Sequence, residues 1–170
     1  TNHSTINVGL LPEATAWQYS IDDGAWIDGV GSSFEMLTDG MAHNYAVRQQ
    51  ADGMWSEPTH IYGVQFDNTA PADFSVALDL DSGASSTDGI TNNGTLNVSG
   101  LEAGTQLQFR IDDGDWRGVD VVASTQALDL LVGTHNYQFR QIDVAGNSSN
   151  TISRTYTYIN ADLAAPSLML

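Results

Sequence analysis

The chain repeats itself, and the length of the repeat limits what it can fold into. Thr1 to Trp26, TNHSTINVGLLPEATAWQYSIDDGAW, aligns without a gap on Thr91 to Trp116, TNNGTLNVSGLEAGTQLQFRIDDGDW, at a constant offset of 90. HNYAVRQ (His43 to Gln49) then matches HNYQFRQ (His135 to Gln141) at an offset of 92, and DNTAP (Asp67 to Pro71) echoes DLAAP (Asp162 to Pro166) at an offset of 95. A unit of this length is a small domain, much longer than one turn of a solenoid. The units are out of phase with the chain. The second has a lead-in, Thr69 to Ile90, which the first lacks, and Leu163 to Leu170 resembles the start of a third. The expected division is 1–66 for a sandwich without its own first strand, 67–160 for a complete one, and 161–170 for the next linker strand.

Alternation of polar and apolar residues between turn signals predicts strands. In the second unit they fall at Asp73–Leu80, Gly94–Val98, Gln106–Ile111, about Trp116–Val122, Gln126–Leu131, Asn136–Ile142 and Thr151–Ile159. Asp112–Asp115 forms a hairpin turn between the third and fourth. No segment carries a sustained helical stripe, so helix should be close to absent. Seven short strands with regular turns give an all-β, immunoglobulin-like antiparallel sandwich, here two in tandem arranged end to end.

Charge removes several function classes. The formal net charge is −16, and all five basic residues are arginine: Arg48, Arg110, Arg117, Arg140 and Arg154. Such a surface repels phosphate backbones and anionic membranes, so no nucleic-acid partner is expected. No run of about 18 apolar residues is present, so no direct membrane insertion is expected. No signal peptide opens the chain, which reads as an internal segment of something longer. Cysteine is absent, which rules out disulfides, zinc–thiolate sites and a cysteine nucleophile. Of the 21 acids 17 are Asp, the residue of turns and of oxygen-ligand metal sites.

Taken in order, DxTAP, DSG…TDGITNNGT, VSGLEAG, a DDGxW hairpin and FRQIDVAGN resemble the bacterial immunoglobulin-like tandem repeats of giant type I-secreted (RTX-type) adhesins. The resemblance covers Asp67–Asn160 well. It covers Thr1–Phe66 less completely, because the lead-in is missing and IDVAGN has become QADGMW. It implies an extracellular, cell-surface protein of adhesion and biofilm, in which calcium at domain junctions stiffens the linkers between neighbouring repeats.

Strand parity turns the acids into two clusters. Asp81 and Asp88 of the loop after the first strand share an end with Asp112, Asp113 and the next linker's Asp162. Asp67 and Asp143 meet at the junction of the two units, with Asp22 and Asp23. Crowded carboxylates repel unless a cation neutralises them, and a flexible set of oxygens suits calcium. By the resemblance Asp67, Asp81 and Asp88 are the leading ligands. Asp23-Gly24 and Asp113-Gly114 also read as plain hairpin-turn chemistry. The run DLDSGASSTDG carries more acid than a turn requires, yet it is not an EF-hand, for Asp79, Asp81 and Gly83 lack that spacing.

Nothing else points to catalysis. His43 and His135 are equivalent and should serve the fold. Gly29 to Ser33 only superficially resembles a nucleophile elbow. Asp22/Asp23 and Asp112/Asp113 are adjacent in an extended hairpin, where their side chains diverge, unlike a glycosidase pair. Trp26 and Trp116 are equivalent and read as hairpin or core residues, whereas Trp17 and Trp55 have no tryptophan counterpart and are the candidate ligand-facing aromatics. The expectation is a non-enzymatic spacer rigidified by calcium. The alternatives are a carbohydrate- or protein-binding module and an accessory sandwich of a secreted hydrolase. The missing first strand leaves an open edge in the first unit, to be completed by strand exchange with Leu163–Leu170 of another copy or by a strand from upstream, unless the first sandwich folds with six strands.

Overall fold

The computed structural model describes residues 1–119, 125–127 and 130–159. The chain forms two compact units, Thr1–Thr69 and Ala70–Leu170, with no helix among the described residues. Asp67 belongs to the first, where its N–H donates to the carbonyl of Thr1 at 2.9 Å.

The first unit contains β1 (Thr5–Asn7), β2 (Ala16–Ile21), β3 (Ile27–Asp28), β4 (Ser33–Glu35), β5 (Ala42–Ala51), β6 (Met54–Trp55) and β7 (Thr59–Gln65). β1 pairs with β4 in a two-stranded sheet. β3, β2 and β5 form the opposing antiparallel sheet, which β6 and β7 extend by pairing with β5. Between the sheets lie Trp17, Phe34, Met36 and Tyr45, with Ile6, Val8, Leu10 and Val64 half-buried against them.

The second unit adds what the first lacks. Its strands are β8 (Ser75–Leu78), β9 (Ile90–Thr91), β10 (Thr95–Ser99), β11 (Gln106–Ile111), β12 (Arg117–Val119), β13 (Thr125–Ala127), β14 (Gly133–Ile142) and β15 (Ile152–Tyr158). One sheet runs β13–β10–β8 and the other β12–β11–β14–β15–β9, with β9 parallel to β15. Tyr137, Phe139 and Gln141 alternate inward along β14 while Asn136, Gln138 and Arg140 face outward, the period-two pattern of a strand covered on one side. Phe74, Val76, Leu96, Val98, Leu107, Leu130 and Tyr156 complete the core.

The lead-in strand is shorter than its sequence suggests, Ser75–Leu78 rather than Asp73–Leu80. Asp73 is instead held by a side-chain bond from Asn150 at 2.9 Å. β9 is an addition: a two-residue strand has no alternation to recognise, and its parallel pairing is set by the loop that precedes it. Residues 120–122 and 128–129 of the expected strands lie outside the described residues.

Both units carry the same corner. The N–H of Leu37 donates to Tyr45 Oη at 3.0 Å, and that of Leu131 to Tyr137 Oη at 2.9 Å. Such a tyrosine corner, here near the start of β5 and of β14, is a hallmark of immunoglobulin-like sandwiches.

Candidate metal centre

The duplicated Asp-Asp-Gly turns come first. Asp22 and Asp23 have φ of 50° and 57°, and Asp112 and Asp113 have 47° and 59°. Two consecutive residues in the left-handed region make the tight turn that matches strand twist, and Asp tolerates that region better than most residues. The first Asp of each turn then serves as a latch. Asp22 Oδ1 accepts from Asn44 N–H at 2.8 Å and its Oδ2 meets His43 Nδ1 at 2.6 Å. Asp112 does the same with Asn136 N–H at 2.9 Å and His135 Nδ1 at 2.5 Å. Asp113 faces Arg110 at 3.6 Å, and Asp23 belongs to no group of three or more possible metal ligands among the described residues.

These latches fix the charge of the histidines. His43 lies between Asp22 and, at 2.9 Å from Nε2, Asp39. Both ring nitrogens face carboxylates, an arrangement that only the doubly protonated ring satisfies. The His43 pKa is therefore raised, by Asp22 first and then Asp39. The pKa of Asp22 is lowered by the Asn44 N–H and by His43, and that of Asp39 by His43 and the Met41 N–H. His135 is raised by Asp112 and by the Val132 carbonyl, and Asp112 is lowered by His135 and the Asn136 N–H. Asp39 had no role in the sequence reading, because nothing equivalent stands in the second unit, where the Val132 carbonyl takes its place at 3.3 Å.

Asp143 is likewise used by its own loop. Its Oδ1 accepts from the N–H groups of Gly146 at 2.7 Å and Asn147 at 2.8 Å, and its Oδ2 from Asn147 Nδ2 at 2.9 Å. Burial opposes its charge, but these donors outweigh it and hold its pKa below the usual range. Asp67 Oδ1 caps its own turn, accepting from Thr69 N–H at 2.9 Å. Asp67 and Asp143 belong to different units. Asp162 lies outside the described residues.

Asp81 differs from all of these. Its Oδ2 accepts from Gly89 N–H at 3.0 Å, but its Oδ1 is buried with no hydrogen-bond partner among the described residues. It lines a cavity of about 470 Å³ together with Asp88, Ser86, Thr87 and Arg154. Asp88 Oδ1 caps the turn through Ile90 N–H at 3.1 Å. A buried carboxylate oxygen without a donor costs on the order of 1–3 kcal/mol, more when charged. A cation would remove that cost, and Asp81 and Asp88, which line one cavity with Ser86 and Thr87, are the acids that could hold one. Among the described residues no group of three or more His, Cys, Asp or Glu converges on a metal, so such a site would hold two carboxylates at most.

The aromatic expectation needs correction. Trp17 is 4% exposed, and its Nε1 donates to the Gly31 carbonyl at 2.9 Å, so it is core. Its equivalent in the repeat, Leu107, was the signal: both face inward. Trp55 is exposed, but Arg48 lies over its ring at 4.7 Å and over Trp26 at 4.1 Å. Arg140 lies over Trp116 at 4.2 Å. In each unit a glutamine on the neighbouring strand accepts from the arginine Nε at 3.0 Å: Gln18 for Arg48 and Gln108 for Arg140. Trp26 and Trp116 are thus one arm of a Gln–Arg–Trp cassette on the outer sheet face, and the sequence reading missed its other two members. Each cation–π contact contributes about 0.5–1 kcal/mol.

No family model matches this sequence, and no curated protein does. Solved structures do. Fibronectin(III)-like modules of CbhA from Clostridium thermocellum match over 98% of this chain and 92% of theirs, at 14% identity and a TM-score of 0.56. A two-domain fibronectin type III segment from chicken tenascin matches over 91% of this chain and 92% of its own, at 15% identity and a TM-score of 0.34. At these identities the first likeness shows the fold: tandem sandwiches of the fibronectin III and immunoglobulin-like kind.

Proposed function

We propose that the chain is a non-enzymatic spacer of an extracellular adhesin, with calcium held at the Asp81–Asp88 loop. Its neighbours would be further repeats of the same polypeptide. One observation carries the calcium reading: the buried, unpartnered Asp81 Oδ1 beside Asp88. The spacer reading is supported by the use each unit makes of its reactive-looking residues. The histidines and the first aspartates latch the turns to β5 and β14, and the tryptophans are buried or covered by arginine. That leaves no bare aromatic platform of Trp17 and Trp55 for a glycan, which weighs against the binding-module alternative.

Calcium titrated calorimetrically into the chelated chain tests this. Saturable binding with a dissociation constant of about 10⁻⁴–10⁻³ M, the range of extracellular modules, is expected, with magnesium much weaker. Asp81→Asn should abolish it, while Asp143→Asn should leave it intact. Equal heats for Asp81→Asn and the parent chain would count against the site.

A further inference from the structure

One sheet face of the first unit carries aromatics that the second unit does not. β6 and β7 follow one another beside β5, with Trp55 opposite Gln50 and His60 opposite Ala46. In the second unit the place of His60 is held by Ser153, opposite Gln138. One pair further along, the two units part. Asn136 faces Thr155 alone, but Asn44 faces both Tyr62 and Gly63, because the pairing shifts between His43 and Tyr45. Gly63 takes up the extra residue at φ 63°, and its N–H donates to Asn44 Oδ1 at 3.0 Å. Such a bulge re-aims the side chain beside it. Here that is Tyr62, 71% exposed, whose ring stacks on His60 with an interplanar angle of 2° and centroids 5.6 Å apart.

Trp55, His60 and Tyr62 thus succeed one another on the outer face from Gln50 to Asn44, about 20 Å at the rise of a strand. This face does not depend on the lead-in. Ser153 and Thr155, at the same places in the second unit, are exposed with the lead-in seated.

The surroundings of these rings are negative. Residues 1–69 carry nine acids against one base, Arg48. Asp52 and Glu57 flank β6 and are exposed, and the exposed Asp22 accepts from the Asn44 N–H. The same face already holds a stacked cation, since the Arg48 guanidinium lies over both Trp26 and Trp55. A guanidinium is planar and weakly hydrated, so it stacks on a ring while its edge donates to carboxylates. Among the described residues no cation lies over Tyr62 or His60.

We infer that this face docks a basic segment of a partner protein, whose arginine side chains stack on Tyr62 and His60 while the surrounding carboxylates take up the charge. A second copy does not fit that description. Three of its five arginines, Arg48, Arg110 and Arg140, already lie over its own tryptophans, and its net charge of −16 repels an identical chain.

The test titrates fluorescein-labelled hexa-arginine and hexalysine peptides into the whole chain in excess chelator, which keeps the result separate from calcium binding. Saturable binding is expected, weaker for hexalysine and weakened by salt. Tyr62→Ser leaves the net charge unchanged at an exposed position, so its melt should match the parent's while hexa-arginine binds about threefold to tenfold more weakly. Val144→Ser, at an exposed apolar position of the second unit, should bind as the parent does. In NMR spectra the ring protons of His60 and Tyr62 should shift as hexa-arginine is added. Equal affinity of Tyr62→Ser and the parent would show adhesion to charge alone and overturn the proposal. Ring shifts with a neutral oligosaccharide, maltohexaose, but none with hexa-arginine would replace the basic partner with a glycan.

Discussion

Trp17 and Gly29 sit opposite each other across β2 and the end of β3, where the second unit has Leu107 opposite Val119. The Gly29 N–H donates to Trp17 O at 2.9 Å, and a Cβ built on Gly29 would lie 2.1 Å from the indole. The two units therefore fill the same space with different partitions of volume. Gly29→Val should destabilise the first unit by about 3 kcal/mol or more, the upper end of overpacking. The double change Trp17→Leu, Gly29→Val recreates the second unit's pair and should recover more than about 1 kcal/mol relative to the sum of the single changes. Additive denaturation midpoints would show that the pair is not coupled.

The histidine latches make stability depend on pH at this same scale. Because the folded pKa values of His43 and His135 are raised, their contribution is complete below the ordinary value of about 6.5 and fades as pH climbs through the folded values. For Asp22, Asp39 and Asp112 the sign is opposite: their contribution is present above about 3.9 and fades as pH falls through the lowered values. Melting temperature should therefore plateau between about pH 4 and 6.5 from these groups and decline above it. His43→Gln with His135→Gln should flatten the alkaline decline. A decline of unchanged slope in that double variant would assign it to other groups.

Among the elements, the lead-in is the one whose seating is decided by a polar group. Gln141 is 0% exposed, yet its amide is satisfied: Oε1 accepts from the Glu102 N–H at 3.0 Å and Thr105 Oγ1 at 2.8 Å, and Nε2 donates to Ala72 O. Gln141→Leu strips donors and acceptors of their partners and should cost the second unit about 2 kcal/mol, read from its urea midpoint. The repeat offset made Leu96, Leu107, Tyr137 and the Asp-Asp turns legible in sequence, since alternation and turn chemistry are local. β9 was hidden because its pairing is parallel and only two residues long. Trp17 was misjudged because its composition, read alone, suggested a binding aromatic; the cross-strand neighbour Gly29 held the missing information. At the candidate site, the excess acid of Asp81 to Asp88 was visible in sequence. That Asp112 is satisfied by β14 and Asp143 by its own loop depends on backbone N–H directions, which no motif spells out.

On the scale of the whole molecule, two sandwiches share a plan, a tyrosine corner, an Asp–His latch and a Gln–Arg–Trp cassette, and differ in the lead-in. The net charge of −16 sets a self-repulsion that cation binding lowers. On the proposed function, calcium at a few millimolar, against a dissociation constant of about 10⁻⁴–10⁻³ M, would add about 1–2 kcal/mol by mass action. The most direct measurement is a thermal melt in calcium, in excess chelator and in magnesium, for the parent chain and for Asp81→Asn. The parent should gain at least about 4 °C in calcium alone. Asp81→Asn, relieved of its buried charge, should melt higher than the parent in chelator and gain nothing from calcium. Superimposable melts of the parent in all three conditions would contradict the calcium-held spacer.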